Sequence, residues 1–254
     1  LQSRSLALLL GVVESEADLW ISWGVHVFKE GDGVAKGRQM AGYVRKMFHD
    51  AEGSGGDDFF SLLNRAEFRG RKLTLEEKEG FAAVTFAGGR DTIIHSVSGF
   101  VGYCAQNPKA LAFLREDPAR ITPAIEEVVR FVSPLTALAR KCPHGAEIAG
   151  VKIEPGDRVG LCWPSANRDE KVFQNPDDFV LDRAPNPHLG FGFGTHHCLG
   201  APQARLILRC LMTAMCEKVA DVKLVNAVPQ TETESSFTRQ VGYERLDVTL
   251  TPRT

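Results

Sequence analysis

The sequence predicts a mostly α-helical α+β fold, and three observations carry that expectation. Val34 to Glu52 places Met40, Tyr43, Val44, Met47 and Phe48 near i, i+3, i+4 spacing, the period of an amphipathic helix. Thr74 with Glu77 three residues later forms a capping-box pattern that opens a long helix. Beyond Ser133-Pro134 the pattern changes. Thr136 to Lys141, Glu147 to Ile153 and Arg158 to Leu161 alternate like short strands, with Pro155-Gly156-Asp157 as a turn.

At 254 residues the chain is long enough to bury a sizeable core. A formal net charge of −2 and the lack of a basic run give no footing for nucleic acid or a membrane surface. Six cysteines (Cys104, Cys142, Cys162, Cys198, Cys210, Cys216) show no disulfide-framework spacing, which fits a reducing cytoplasm. Leu6 to Val13 is apolar behind Arg4 but too short to span a bilayer. It reads as the buried face of a helix stopped near Gly11.

In chain order, helices are expected over Ser3 to Val13 and Ser15 to Phe28, with Gly31-Asp32-Gly33 as a break before the helix of Val34 to Glu52. A glycine-rich loop from Gly53 leads into a short helix over Asp57 to Arg65. The capped helix then runs from about Leu75 to Gln106, where Asn107-Pro108 stops it. Its centre is unusual. Gly88 and Gly89 each weaken a helix by about 1 kcal/mol relative to alanine, and Arg90-Asp91-Thr92 follows at once. Small residues there serve either a close helix crossing or a local widening where something approaches the backbone. A helical Thr also readily bonds its own i−4 carbonyl. Leu111 to Arg115 is a short helix, and Thr122-Pro123 supplies an N-cap and an N1 proline for the next. That helix carries Glu127 and Arg130 at i, i+3, on one face and able to pair. Val128, Val129, Phe131 and Val132 around them imply partial burial, where such a pair must be well satisfied.

The segment Phe191-Gly192-Phe193-Gly194-Thr195-His196-His197-Cys198-Leu199-Gly200 sets one cysteine among three glycines just before a helical pattern. Glycine lets backbone approach a bulky ligand and adopt positive φ. Partial positive charge at a helix start favours thiolate over thiol. A thiolate held this way suits the proximal side of a haem iron. Three other readings compete. A free cysteine is often a small buried hydrophobe. His188, His196, His197 and Cys198 bring zinc to mind, although adjacent residues rarely ligate one ion and no Cys-x-x-Cys pair completes a tetrahedron. A dinucleotide-binding turn lacks the apolar strand that should lead into it. After the loop, Leu199, Leu206, Ile207, Leu211 and Met215 form an apolar helical face, and Val222 to Thr254 reads as strands and turns.

This loop, with Ala201-Pro202-Gln203-Ala204-Arg205 after it, resembles the haem-binding loop of cytochrome P450 in its bacterial, soluble branch. The resemblance makes Cys198 the axial ligand of haem b, with Phe191, Gly192, His196 and Gly200 around the group and Arg140 and His196 as propionate contacts. A guanidinium suits a carboxylate bidentately. Gly88, Gly89, Asp91 and Thr92 resemble the distal oxygen-activation helix of that family. Thr92 is then the hydroxyl facing dioxygen, and Asp91 feeds a proton relay. Arg90 departs from the family's usual, less charged residue. Glu127 and Arg130 match the Glu-x-x-Arg helix and Arg183 its third, structural member, a lock behind the haem loop. Leu135, Thr136, Ala137, Leu138 and Phe237 become the wall of a substrate pocket, into which Ser235-Ser236-Phe237 tips, and the helix after Cys198 lies under the haem.

The motifs occur in the family's order along the chain. The resemblance therefore implies a P450-like fold in which residues 1–254 are the C-terminal portion of a single haem domain, lacking the N-terminal segment. The implied activity is monooxygenation: one atom of O₂ enters a small apolar substrate, with electrons from NAD(P)H by way of a ferredoxin and a ferredoxin reductase. Two alternatives stand beside it. One is a haem-thiolate peroxygenase, disfavoured by Asp91-Thr92. The other is a haem-free, truncated interaction module.

Overall fold

The computed structural model describes residues 1–23, 33–234 and 237–253. The chain divides into two compact units, Leu1–Ile93 and Ile94–Thr254.

The first unit is built from α1 (Gln2–Leu10), α2 (Glu16–Ser22), α3 (Gly33–Asp50), α4 (Phe59–Arg65), a short hairpin of β1 (Glu67–Phe68) and β2 (Arg71–Lys72), and α5 (Leu75–Gly88). Gly11 ends α1 in the left-handed conformation, at φ 69°. The expected extension of α2 to Phe28 and the Gly31-Asp32 break lie outside the described residues. Met40, Val44 and Phe48 of α3 are buried, as their spacing requires. They join Trp20, Phe60 and Phe86 in one apolar core. Its rings meet edge to face, Trp20 on Phe86 and Phe48 on Phe60 both at 5.0 Å. Asp58 rather than Asp57 starts α4, its carboxylate accepting from the N–H groups of Phe60 and Ser61. The capping box forms as read: Glu77 N–H donates to the Thr74 hydroxyl and Thr74 N–H to the Glu77 carboxylate.

The single helix expected from Leu75 to Gln106 is two helices. α5 stops at Gly88, and α6 (Asp91–Gln106) starts after two intervening residues, Gly89 and Arg90. The cause is the glycine pair. Gly89 N–H still reaches Thr85 O at 3.1 Å, and a Cβ on Gly89 would sit 2.9 Å from that carbonyl. Only glycine fits so tight a turn, and two successive glycines remove the side-chain packing that would carry the helix through.

The second unit, which takes in most of α6, adds α7 (Ala110–Glu116), α8 (Ile121–Val132), β3 (Ala137–Lys141), β4 (Ala146–Ile148), β5 (Val151–Ile153), β6 (Arg158–Cys162), α9 (Trp163–Ala166), α10 (Ala201–Lys218), β7 (Val219–Glu234) and β8 (Phe237–Pro252). The expected cap at Thr122 is not used. Asp117 takes that role one turn earlier, accepting from Ala119 N–H to start a 3₁₀ turn over Pro118–Arg120, and α8 is already under way at Ile121. Ser133 ends α8 at φ 43°. The strands pair antiparallel: β3 with β6, β4 with β5, β7 with β8. The core gathers Phe100, Leu114, Ile125, Val128, Leu208 and Met212 from α6, α7, α8 and α10. The apolar face expected after the cysteine is rotated from the one read. Ile207 and Met215 are buried, with Leu208 and Met212, whereas Leu199 and Leu206 are exposed.

Candidate active site

Cys198 rides on a loop shaped by backbone hydrogen bonds. Its N–H donates to Phe191 O at 2.7 Å, Gly192 N–H to Leu189 O at 2.8 Å and His197 N–H to Gly194 O at 3.0 Å. A 3₁₀ turn over Gly194–His196 sits inside, and α10 follows with Gly200 as its N-cap. Gly192 (φ 70°) and Gly194 (φ 68°) take left-handed backbone that a side chain would strain. Gly200 does not, and a Cβ there would meet the Cys198 Sγ only at 3.9 Å. Phe191 is half-buried, while His196 and Cys198 are exposed. Beside the thiol, Phe193 and Leu199 are 85% and 70% exposed. An open sulfur flanked by uncovered apolar side chains fits a flat, largely apolar, iron-bearing group. Cys104 is the contrast: burial pushes its thiol up to about 12, so it stays an inert thiol. Among the described residues no group of three His, Cys, Asp or Glu side chains converges as a metal-binding cluster.

Behind the loop stands a buried charge network. Glu127 and Arg130 are both wholly buried. Arg130 donates to Glu127 in bidentate fashion, Nε at 2.7 Å and Nη2 at 2.9 Å, and Arg183 Nε reaches the same carboxylate at 3.0–3.1 Å. Val180 N–H adds a fourth donor at 2.7 Å. The guanidiniums spend their remaining donors on carbonyls of the connecting meander: Arg130 on Asn167, Pro176 and Asp178, Arg183 on Gln174, Asn175 and Asp178. Such full satisfaction is what lets charges survive burial. Asn167, which the sequence did not mark as a site residue, completes the frame. Its amide donates to Ser133 Oγ at 2.9 Å and its carbonyl accepts Leu189 N–H at 2.7 Å, two residues before Phe191.

Asp91 and Thr92 open α6, both half-buried, and an acid in the first turn is favoured by the helix dipole. The Thr92 hydroxyl donates to Gly88 O at 2.8 Å, so the local i−4 bond does form, and it bridges the break. A Cβ on Gly88 would meet open space. Arg90 is half-buried, and desolvation pulls its guanidinium pKa down against the opposing charge of Asp91. Leu138 and Arg140 lie on one face of β3 by alternation. Arg140 is half-buried, and its Nη1 donates to Ala139 O at 3.1 Å. Leu135, Ala137 and Leu138 are exposed. Thr136 is not: it is buried and hydrogen-bonded to the Glu232 carboxylate and Arg239 Nη1, because the β7–β8 hairpin reaches back to it. Phe237 begins β8 and is partly exposed. Ser235 and Ser236 lie outside the described residues.

A family model described as Cytochrome P450 matches residues 44–240. Cytochrome P450-terp from Pseudomonas sp is 34% identical over 235 residues, covering 85% of this chain and 55% of its own length. A steroid C26-monooxygenase from Mycolicibacterium smegmatis is 30% identical, with 88% and 54% covered. The chain thus spans about half the length of these curated relatives. Among solved structures, a carbohydrate active P450 aligns with TM-score 0.95 at 42% identity, covering 99% of this chain and 66% of that one. P450BioI, in complex with a hexadec-9Z-enoic acid ligated acyl carrier protein, aligns with TM-score 0.85 at 30% identity, covering 98% and 66%. No described helix is long and apolar enough to cross a membrane. With more than three quarters of its residues matched by the family model and a fold shared along its length, this chain belongs to the cytochrome P450 family.

Proposed function

We propose that this chain is the haem-binding C-terminal portion of a haem-thiolate monooxygenase, with Cys198 as the proximal iron ligand. The observation that carries the reading is the exposed Cys198 thiol, held by backbone bonds at the start of α10 between uncovered Phe193 and Leu199. When bound, the haem supplies dioxygen activation and transfer of one oxygen atom to an organic substrate, electrons arriving singly. The chain's own residues hold and orient. Arg140 and His196 pair with the propionates, and Phe191, Gly192 and Gly200 frame the cysteine. The Glu127–Arg130–Arg183 network keeps the loop's supporting meander rigid. Gly88 leaves space at the break and Gly89 makes its tight turn; there Thr92 orients a proton donor and Asp91 passes protons inward. Positioned proton transfer of this kind contributes about 10²–10⁴-fold.

Leu135, Ala137, Leu138 and Phe237 give an apolar wall, and the substrate read from them is a small apolar organic molecule. Thr136 contributes by holding the hairpin rather than by facing the substrate. A second substrate class is favoured by the likeness to a carbohydrate active P450, at 42% identity: a hydroxyl-bearing sugar. A ferredoxin and its NAD(P)H-dependent reductase are the expected electron donors, and six free cysteines suit a cytoplasmic protein. The test is turnover of the intact enzyme under isotopically labelled O₂, with apolar and sugar candidates offered in parallel. Product carrying one labelled oxygen supports monooxygenation. Label arriving only from peroxide supports the peroxygenase alternative and sinks the reading.

A further inference from the structure

Beside Glu127, α8 carries a second acidic anchor, directed elsewhere. The Glu126 carboxylate accepts from Arg205 of α10 in bidentate fashion, Nε at 2.7 Å and Nη2 at 2.9 Å, and meets His188 Nε2 at 2.9 Å. Gly190 N–H donates to His188 Nδ1 at 3.1 Å, so the ring is the Nε2–H tautomer and donates to Glu126. The His188 side chain is almost wholly buried. The Arg205 guanidinium lies over the Phe191 ring at 4.5 Å, and the His188 ring packs against the same phenyl at 5.8 Å. Gly190 allows this by running against α8, where a Cβ would sit 2.6 Å from Val129 Cγ1. Phe191 O then accepts the N–H of Cys198.

We propose that Glu126, His188 and Arg205 are positioning residues for Cys198. One carboxylate on α8 fixes Phe191 through two partners, and the Phe191 carbonyl fixes the backbone of the cysteine. The proposal rests on the reading of Cys198 as the haem ligand. From Phe193 to Gly200 the loop is exposed, so few side-chain contacts of its own set the direction of the sulfur. The aim comes from the backbone bond and from whatever holds its far end.

The test compares the haem-loaded full chain as parent, Arg205→Met, Arg205→Lys and Glu126→Gln. For each, haem content, melting temperature and the lifetime of the thiolate-type Soret band in the reduced, CO-bound form are measured. Arg205→Met should bind haem yet lose that band about tenfold faster or more, because both charge-assisted hydrogen bonds to Glu126 are lost. Arg205→Lys keeps charge without the planar fork and should fall between it and the parent. Glu126→Gln, which keeps the shape, should also shorten the lifetime. If Arg205→Met does not fold, Glu126→Gln decides. A lifetime equal to the parent's in Glu126→Gln or in folded Arg205→Met overturns the proposal, whatever the melting temperature does. A parent with no thiolate-type band overturns the haem-thiolate reading, and this inference with it.

Discussion

Thr92 shows how one hydroxyl can serve structure and chemistry together. Its proton is engaged by Gly88 O at 2.8 Å, across the gap between α5 and α6. To donate toward a substrate oxygen it must release that carbonyl, and the glycine-weakened turn makes release inexpensive. Thr92→Ala, in the intact enzyme with its electron donors, should therefore still bind haem and consume O₂. Much of that oxygen should appear as peroxide rather than product, with the productive rate down by about 10²-fold or more. Paired measurements of O₂ uptake, peroxide and product check this. Tight coupling at the parent's rate would leave Thr92 a helix-bridging residue only. The sequence made this spot visible, because a capped apolar helix has no stability reason to carry Gly88 and Gly89. It did not reveal that the helix breaks outright. That depends on the 2.9 Å approach of Thr85 O to the Cβ position of Gly89, which periodicity does not encode.

At the scale of the element, α8 is a helix with two consecutive anchors. Glu127, itself wholly buried, takes five hydrogen bonds from Arg130, Arg183 and Val180. Glu127→Ala strands two guanidiniums, and breaking a buried pair costs about 3–5 kcal/mol. Haem-poor, poorly folding protein is the expected yield, and normal expression with full haem occupancy would show the network dispensable. Glu126 gives a pH signature. Desolvation, the largest influence, pushes its carboxyl up, but the hydrogen bonds from His188 and Arg205 and the Arg205 charge outweigh it and hold it down at about 2, against an ordinary 4.5. A depressed folded-state value means stability present above pH 4.5 and lost as pH falls toward 2. Melting temperature followed through that window should fall less steeply in Glu126→Gln than in the parent; identical slopes would contradict the assignment. Of this element, the Glu127–Arg130 pair was legible from i, i+3 spacing. Arg183 came only by resemblance, since no local spacing links it to α8. Asn167 and the Glu126–His188–Arg205 cluster were not legible. A buried amide in a meander has no periodic signal, and partners separated by 62 and 79 positions meet only once the chain has folded.

Across the whole molecule, the order of helices and strands followed from caps and breakers, and the misreadings were local. Asp117 displaced Thr122 as a cap, and α10 turned its Leu206 outward because Leu208 and Met212 met the core instead. The fold class survived because burial patterns in α3 and α8 are redundant, many residues agreeing on one face. The functional reading has no such redundancy and converges on a single sulfur. The most direct measurement is the reduced, CO-bound spectrum of the haem-loaded protein and of its Cys198→Ser variant, each normalised to bound haem. The parent should show a thiolate-type Soret band and the variant should lack it, because a serine oxygen cannot supply the thiolate's electron density. A thiolate-type band that survives unchanged in Cys198→Ser would contradict the account at its centre.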